Sequence, residues 1–273
     1  DVEAGKLTEV VYRLQVPRGA DEVVVRGDRP PREVTKRTIE QRELTRIPGT
    51  NGDALRALEG LPGVARPPAF IGFLIVRGSA PTETEIYVDG SFIPLAYHFG
   101  GLSSVFPSEM LERLDFYPGN FGVKYGRVTG AIVDMGIRSP KDDGQYHGVA
   151  QLDLIDARIM AEGPVPFLKG VTFLAGARRS HVDTWLGPAL EASGAGVTTA
   201  PVYYDYQAFL ETRPTPRTRV RAGVYGSDDR LEILIKQPLS ADPIIGGTIG
   251  FRTAFWRAQA EVNVLPQTQG LYM

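Results

Sequence analysis

From residue 145 onward the chain alternates apolar and polar residues, and this period of two constrains the fold more than any other feature of the sequence. Val202, Tyr204, Tyr206, Ala208 and Leu210 fall on one side of an extended segment, with Tyr203, Asp205, Gln207 and Phe209 on the other. Val220, Ala222 and Val224 alternate with Arg219, Arg221 and Tyr225, and Val171, Phe173, Ala175 and Ala177 with Thr172, Leu174, Gly176 and Arg178. Residues 249–262 keep the pattern loosely, with a change of phase near Phe255-Trp256. The connections are of two kinds: short turns with Pro or Gly at 163–170, 213–218 and 265–270, and longer runs of small and polar residues at 187–200 and 227–247. Short and long connections in alternation are the arrangement of an outer-membrane barrel. The scheme requires residues 145–165 to be a hairpin. The apolar phase does switch there, between Leu152/Leu154 and Ile155/Ala157/Ile159, although a β-bulge produces the same switch.

Composition narrows the classes further. Of the 273 residues 42% are hydrophobic, which suits a folded protein. No run approaches the roughly 18 consecutive apolar residues of a membrane-spanning helix, whereas alternating barrel strands leave hydropathy near neutral. Lys and Arg number 30 against 32 Asp and Glu, and a nucleic-acid partner calls for a basic surplus. The absence of cysteine excludes disulfides, thiolate metal sites and a thiol nucleophile. His98, His147 and His181 lie far apart without metal-ligand spacing, so surface or internally satisfied histidines are expected, with no metal and no cofactor. Arg178-Arg179-Ser180-His181 with Asp183 supplies triad residue types, but adjacent strand positions point to opposite faces and no nucleophile elbow is present. Asp142-Asp143-Gly144 and Asp228-Asp229 suit calcium by residue type, and solvated acidic pairs equally well. There is no phosphate-binding or dinucleotide fingerprint. An enzyme is not expected.

The first half reads as a compact α+β unit. Residues 7–16 alternate as a strand ended by Pro17-Arg18-Gly19, and a lone strand implies a small β-domain lying mostly upstream. Asp21-Glu22-Val23-Val24-Val25 favours extended backbone and stops at Arg26–Pro31. Thr38–Leu44 is helix-compatible, and Thr50–Asp53 offers cap residues for a helix from Ala54 to Leu58 that Gly60 ends. Residues 73–78 and 85–90 read as strands, with Asp89-Gly90 as a hairpin turn into Phe92–Leu95. Ser108 is read as the cap of a short helix, Glu109–Leu114, followed by extended segments at Asp115–Gly119 and Ala131–Met135. Ser139–Gly144 is a polar hinge. The sequence starts at Asp1 with no initiator Met, basic region or apolar region, and Gly270–Met273 reads as the opening of a strand, so a fragment, or a mature chain trimmed at both ends, is expected.

These motifs, in their order, resemble the TonB-dependent outer-membrane receptors. Leu74–Ser79, containing Arg77-Gly78, followed by Ile86–Gly90, containing Asp89-Gly90, resembles that family's plug domain. So do Asp53–Leu58 with Leu61–Val64, and Tyr117–Gly126, which closes on Tyr125-Gly126. Gly130–Met135 looks like the closing plug strand, and Glu162–Val165 like the turn where the barrel begins. The resemblance implies a mainly β fold, a plug followed by the first strands of a truncated transmembrane antiparallel barrel. The implied domains are 1–19, the last strand of a carboxypeptidase-regulatory-like domain; 20–140, the plug; and 141–273, six to seven barrel strands. Asp21, Glu22, Val23, Val24 and Val25 are similar to the TonB box, or form the plug's first strand. Tyr97, His98 and Phe99 are the candidate substrate-facing loop, a packed plug turn being the alternative. Trp185, Tyr204, Tyr206 and Trp256 are placed at a membrane interface, or else in the core or facing a ligand.

The resemblance further implies an outer-membrane location, with the plug facing the periplasm. The implied partners are TonB, the lipid bilayer and a small-molecule, glycan or peptide substrate. Energised uptake of a scarce substrate is the expected function. A signalling receptor of the same fold is one alternative, and a soluble β-rich surface-binding protein is the other.

Overall fold

The structure, a computed structural model, describes residues 35–44, 46–50, 52–65, 74–101, 103–193, 197–235 and 247–264. The strand expected at 7–16, the segment Asp21–Val25 and the strand opening at 270–273 lie outside the described residues.

The first unit runs β1 (Arg37–Glu40), α1 (Gln41–Leu44), α2 (Arg56–Glu59), β2 (Val64–Ala65), β3 (Ile75–Val76), β4 (Glu85–Val88), β5 (Ser91–Ile93), β6 (Leu111–Tyr117) and β7 (Ile132–Ile137). Five of these strands form one sheet in the order β1-β6-β7-β4-β5, with β4 and β7 parallel and the other pairs antiparallel. All of β7 is buried, and a strand covered on both faces reads as an apolar run rather than an alternation. Leu55, Leu58, Leu74, Val88, Ile93, Leu111, Leu114 and Phe116 form the core with it. Each such side chain contributes about 1.5–3 kcal/mol by leaving water.

Local chemistry explains the turns. Asp53 Oδ1 accepts hydrogen bonds from the amides of Leu55 (3.0 Å) and Arg56 (3.2 Å), covering donors that the short helix leaves open. Asp89 (φ 45°) and Gly90 (φ 77°) both adopt left-handed backbone and join β4 to β5, as the Asp-Gly signal requires. Two expectations are corrected. Glu109–Leu114 is not a helix: a single 3-10 turn, Ser108–Met110, leads into β6, which pairs with both β1 and β7. Two ladders outweigh the marginal stability of so short a helix. Thr38–Glu40 likewise joins β1, leaving helix only at α1.

The second sheet runs β8 (His147–Leu152), β9 (Asp156–Pro164), β10 (Val171–Ser180), β11 (Val197–Thr215), β12 (Thr218–Ile235) and β13 (Gly247–Val264), with α3 (Val182–Ala192) between β10 and β11. Each strand pairs antiparallel with its neighbour in sequence. The 145–165 hairpin forms, its turn held by Asp153 Oδ1 accepting from the amides of Ile155 (2.7 Å) and Asp156 (2.9 Å). The long connections are shorter than expected. The helix α3 and the start of β11 take up most of 187–200, and β12 continues through Asp228-Asp229 to Ile235. These charged residues belong to the strand because they alternate between faces like their neighbours. The register between β12 and β13 runs unbroken past Phe255-Trp256.

This sheet is inside out. On β11 Tyr203, Asp205, Gln207, Phe209 and Glu211 are buried, while Tyr204, Tyr206 and Leu210 are 40%, 43% and 47% exposed. Ile159, Val224, Trp256 and Val262 are exposed on the same outer face, and Arg178, Arg221, Ser227 and Asp229 are buried on the inner one. Tyr204, Tyr206 and Trp256 thus stand on the apolar outer face. Trp185 instead lies on α3, its indole donating to the carbonyl of Leu154 (2.9 Å).

Candidate functional site at the seam between the sheets

The inner face of the long sheet lies against the first unit, and charged side chains hold the contact at three levels. At the end bearing the short turns, Arg138 pairs bidentately with Glu162 (2.6 and 2.9 Å) and donates through Nε to the carbonyl of Glu109 (2.6 Å). The amide of Lys141 donates to the same Glu162 carboxylate (2.9 Å), and Arg158 reaches Glu109 (2.6 Å). A cavity of about 700 Å³ opens beside them, lined in part by Glu112, Lys141, Met160 and Arg213.

At the middle level Arg221, 1% exposed, donates to Glu211 Oε2 through Nε (3.1 Å) and Nη2 (2.8 Å). Its Nη1 donates across the seam to Asp89 Oδ2 (3.2 Å) and the carbonyl of Ile137 (2.8 Å). Burial pushes the Asp89 carboxyl up to about 6, against the pull of Arg221. Beside it the amide of Gly90 (3.2 Å) and the hydroxyl of Tyr125 (2.6 Å) donate to the two oxygens of Asp134. Burial and that carboxylate push the Tyr125 phenol well above its ordinary value. Four sequence-singled residues are thereby placed: Asp89, Gly90 and Tyr125 come together, while Gly126 is exposed a residue away. Arg77 and Gly78 form a separate left-handed turn after β3, and the amide of Arg77 donates to the carbonyl of Gly63 (2.7 Å). Between levels the seam is aromatic, with Phe106 edge-on to Tyr225 at 5.2 Å and Phe209 stacked on Tyr225 at 6.0 Å.

At the other end, Tyr97 and Ser104 bridge to close a loop in which the amide of His98 donates to the carbonyl of Ser103 (3.0 Å). Tyr97 and His98 are 1% and 0% exposed, so both side chains pack into the turn. The His98 ring stacks on Tyr203 at 3.8 Å. Its Nδ1 lies 3.0 Å from both oxygens of Asp229, and its Nε2 3.0 Å from Asp205 Oδ2 and 3.1 Å from Arg178 Nη2. The amide of Phe99 donates to Asp229 (3.0 Å). Arg178 also donates to Asp205 through Nε (2.6 Å) and to the carbonyl of Ser104. A small cavity of about 100 Å³, lined by Asp53, Arg56, Ser103 and Asp156 among others, adjoins this cluster.

His147 pairs with Asp143 (2.8 Å), and His181 meets the carbonyl of Asp153 (2.7 Å). Asp228 is taken up by Arg230 and Arg252. Among the described residues no group of three or more His, Asp or Glu is placed to hold a metal ion. Sequence reasoning did not single out Arg138 or Glu211, and it named Glu162, Asp205, Arg221 and Asp229 only in other roles, as a turn, as strand positions and as half of an acidic pair. Their signal was available: charges of both signs at inward positions of strands whose outward positions are apolar.

A family model described as the TonB-dependent receptor plug domain matches residues 17–132. No curated protein matches the sequence. The chain is similar to the solved siderophore receptor PirA from Acinetobacter baumannii, at 18% identity and a TM-score of 0.52, over 82% of this chain and 37% of that one. It is also similar to P. aeruginosa FpvA bound to heterologous pyoverdines, at 14% identity and a TM-score of 0.54, over 87% of this chain and 33% of that one. At such identities the likeness is one of fold. The chain spans about a third of the length of these receptors.

Proposed function

We propose that residues 17–132, which match the TonB-dependent receptor plug model, are such a plug, and that the chain is the plug and first wall strands of an outer-membrane uptake receptor. On this reading residues 1–19 end a carboxypeptidase-regulatory-like domain, 20–140 are the plug and 141–273 begin the barrel. The observation that carries it is the inverted long sheet, with apolar residues outward and charges inward against the plug. Lipid is the solvent that suits such an outer face, which also speaks against the soluble surface-binding alternative.

Substrate binds on the side of α3, and TonB acts from the opposite, periplasmic side, where the short turns lie. Asp21–Val25 is the TonB box, since an extended β-branched peptide can add as a strand to a partner's sheet edge. Pulling there displaces the plug and opens a path along the wall. The polar seam suits this step, because hydrogen bonds lost on parting can be remade with water in the opened channel. The substrate is a scarce small molecule, glycan or peptide.

Deleting residues 21–25 in the full-length receptor is expected to abolish energised uptake while ligand binding persists. Unchanged uptake would sink the assignment, and persistent uptake-independent signalling would favour the signalling receptor. Fractionation supplies the membrane test: full-length product that stays in solution without detergent rejects the barrel reading.

A further inference from the structure

The geometry points to His98 as the positioning residue that fastens the plug's 97–104 loop to wall strands β10, β11 and β12, its imidazole proton selecting between a locked and a loosened seam. The inference rests on the plug reading. Four wall strands present charged or titratable groups to this site: Asp156 from β9, Arg178 from β10, Tyr203 and Asp205 from β11, and Asp229 from β12. The plug contributes the ring itself, the Phe99 amide and the hydroxyl of Ser103, which lies 3.0 Å from the Tyr203 hydroxyl.

The choice of proton state is built into one atom. Nε2 lies at hydrogen-bond distance from Asp205, which only accepts, and from Arg178, which only donates. Protonated, Nε2 donates to Asp205 while Nδ1 donates to Asp229, and the imidazolium ties two wall carboxylates to the plug. Unprotonated, Nε2 accepts from Arg178 and gives up Asp205, leaving a single neutral donor on Asp229. Burial disfavours the charged ring, and the hydrogen bonds to Asp205 and Asp229 more than offset it, so His98 titrates above its ordinary value. The tie is therefore complete below about pH 6.5 and is lost as pH rises through the elevated value.

The experiment uses the full-length receptor in detergent, without TonB, carrying Ser103→Cys; these 273 residues contribute no other thiol. Maleimide labelling reports how often the loop leaves the wall. His98→Ala is expected to speed labelling at least tenfold at pH 6, with His98→Gln, which keeps one hydrogen-bond donor, falling between it and the parent. With each rate divided by that of a free cysteine at the same pH, because the thiolate is the nucleophile, raising the pH from 6 to 8 is expected to speed the parent severalfold and to leave both variants unchanged. Equal rates in parent and His98→Ala, or the same pH response in both, would overturn the role. Should His98→Ala fail to assemble, the pH series on the parent and His98→Gln decides, and a flat parent rejects the switch. Labelling needs no energy source, so its failure rejects the fastening while leaving the uptake assignment to the 21–25 deletion.

Discussion

In β7 every residue from Ile132 to Ile137 is buried, whereas in β11 from Tyr203 to Leu210 every second side chain faces outward and half of the buried ones, Asp205 and Gln207, are polar. The plug is stabilised as soluble domains are, by apolar area removed from water. The wall reverses the assignment: its apolar surface faces out, and its inner face keeps charges paired across to the plug. Buried ion pairs lose in desolvation much of what they gain by attraction, so they fix register more than they add stability. The contrast teaches where the molecule can come apart. A core of Leu, Ile and Phe cannot open without exposing hydrocarbon, while the charged levels of the seam can open into water and only the aromatic contacts between them, Phe106 and Phe209 with Tyr225, expose apolar surface.

The most severe way to break this contrast is to unpair the seam from one side. Arg221→Ala leaves Glu211 and Asp89 buried without their partner and is expected to cost about 3–5 kcal/mol, read as a fall in the melting temperature of the full-length protein. Removing charge on both sides, with Arg221→Met and Glu211→Met together, should recover most of the loss; no recovery would mean the pair carries net stability. The outer face is tested next. Val224→Arg places a cation on the apolar band and should cost about 2–4 kcal/mol in a bilayer by denaturant titration, against under about 0.5 on a water-facing surface.

A pH dependence follows from Asp89. Its folded value of about 6 lies above the ordinary carboxylate range, so the folded state binds the proton more tightly. Stability should therefore fall as pH rises from about 4 to 6, by an amount on the order of 3 kcal/mol. Asp89→Asn should remove that slope in a melting series. The smallest effect is expected inside the plug sheet. Thr38→Ala removes a 2.6 Å hydrogen bond to Asp115 and should lower the melting free energy by about 0.5–1.5 kcal/mol.

The wall was the more legible region, because a period of two survives whichever face is apolar. The alternation at 202–210 located β11, and the phase switch at 152–159 located the β8–β9 hairpin. The lengths of the outer connections were misread, since Asp228-Asp229 and the small residues near 197 carry loop-like composition inside regular ladders. In the plug, the Asp89-Gly90 turn was legible because left-handed backbone demands such residues. Leu111–Leu114 was not, since a short amphipathic stretch fits helix and strand alike until its neighbours are known. The seam was least legible. His98 stood out as an imidazole among aromatic residues and glycines, but its partners Asp205 and Asp229 lie 107 and 131 positions away.

Strand order also sets the sequence of assembly. The wall is a meander in which every strand pairs with the next, so each hairpin can close on the one before it with little chain entropy to overcome. The plug sheet is wound differently: β1 must find β6, joining Thr38 to Asp115 across 77 positions, and β4 lies parallel to β7. Local closure is fast and distant closure slow, so the wall hairpins can form while the plug sheet is still searching for its register. The sheet that closes over the longest sequence separations is then the part that finishes folding last.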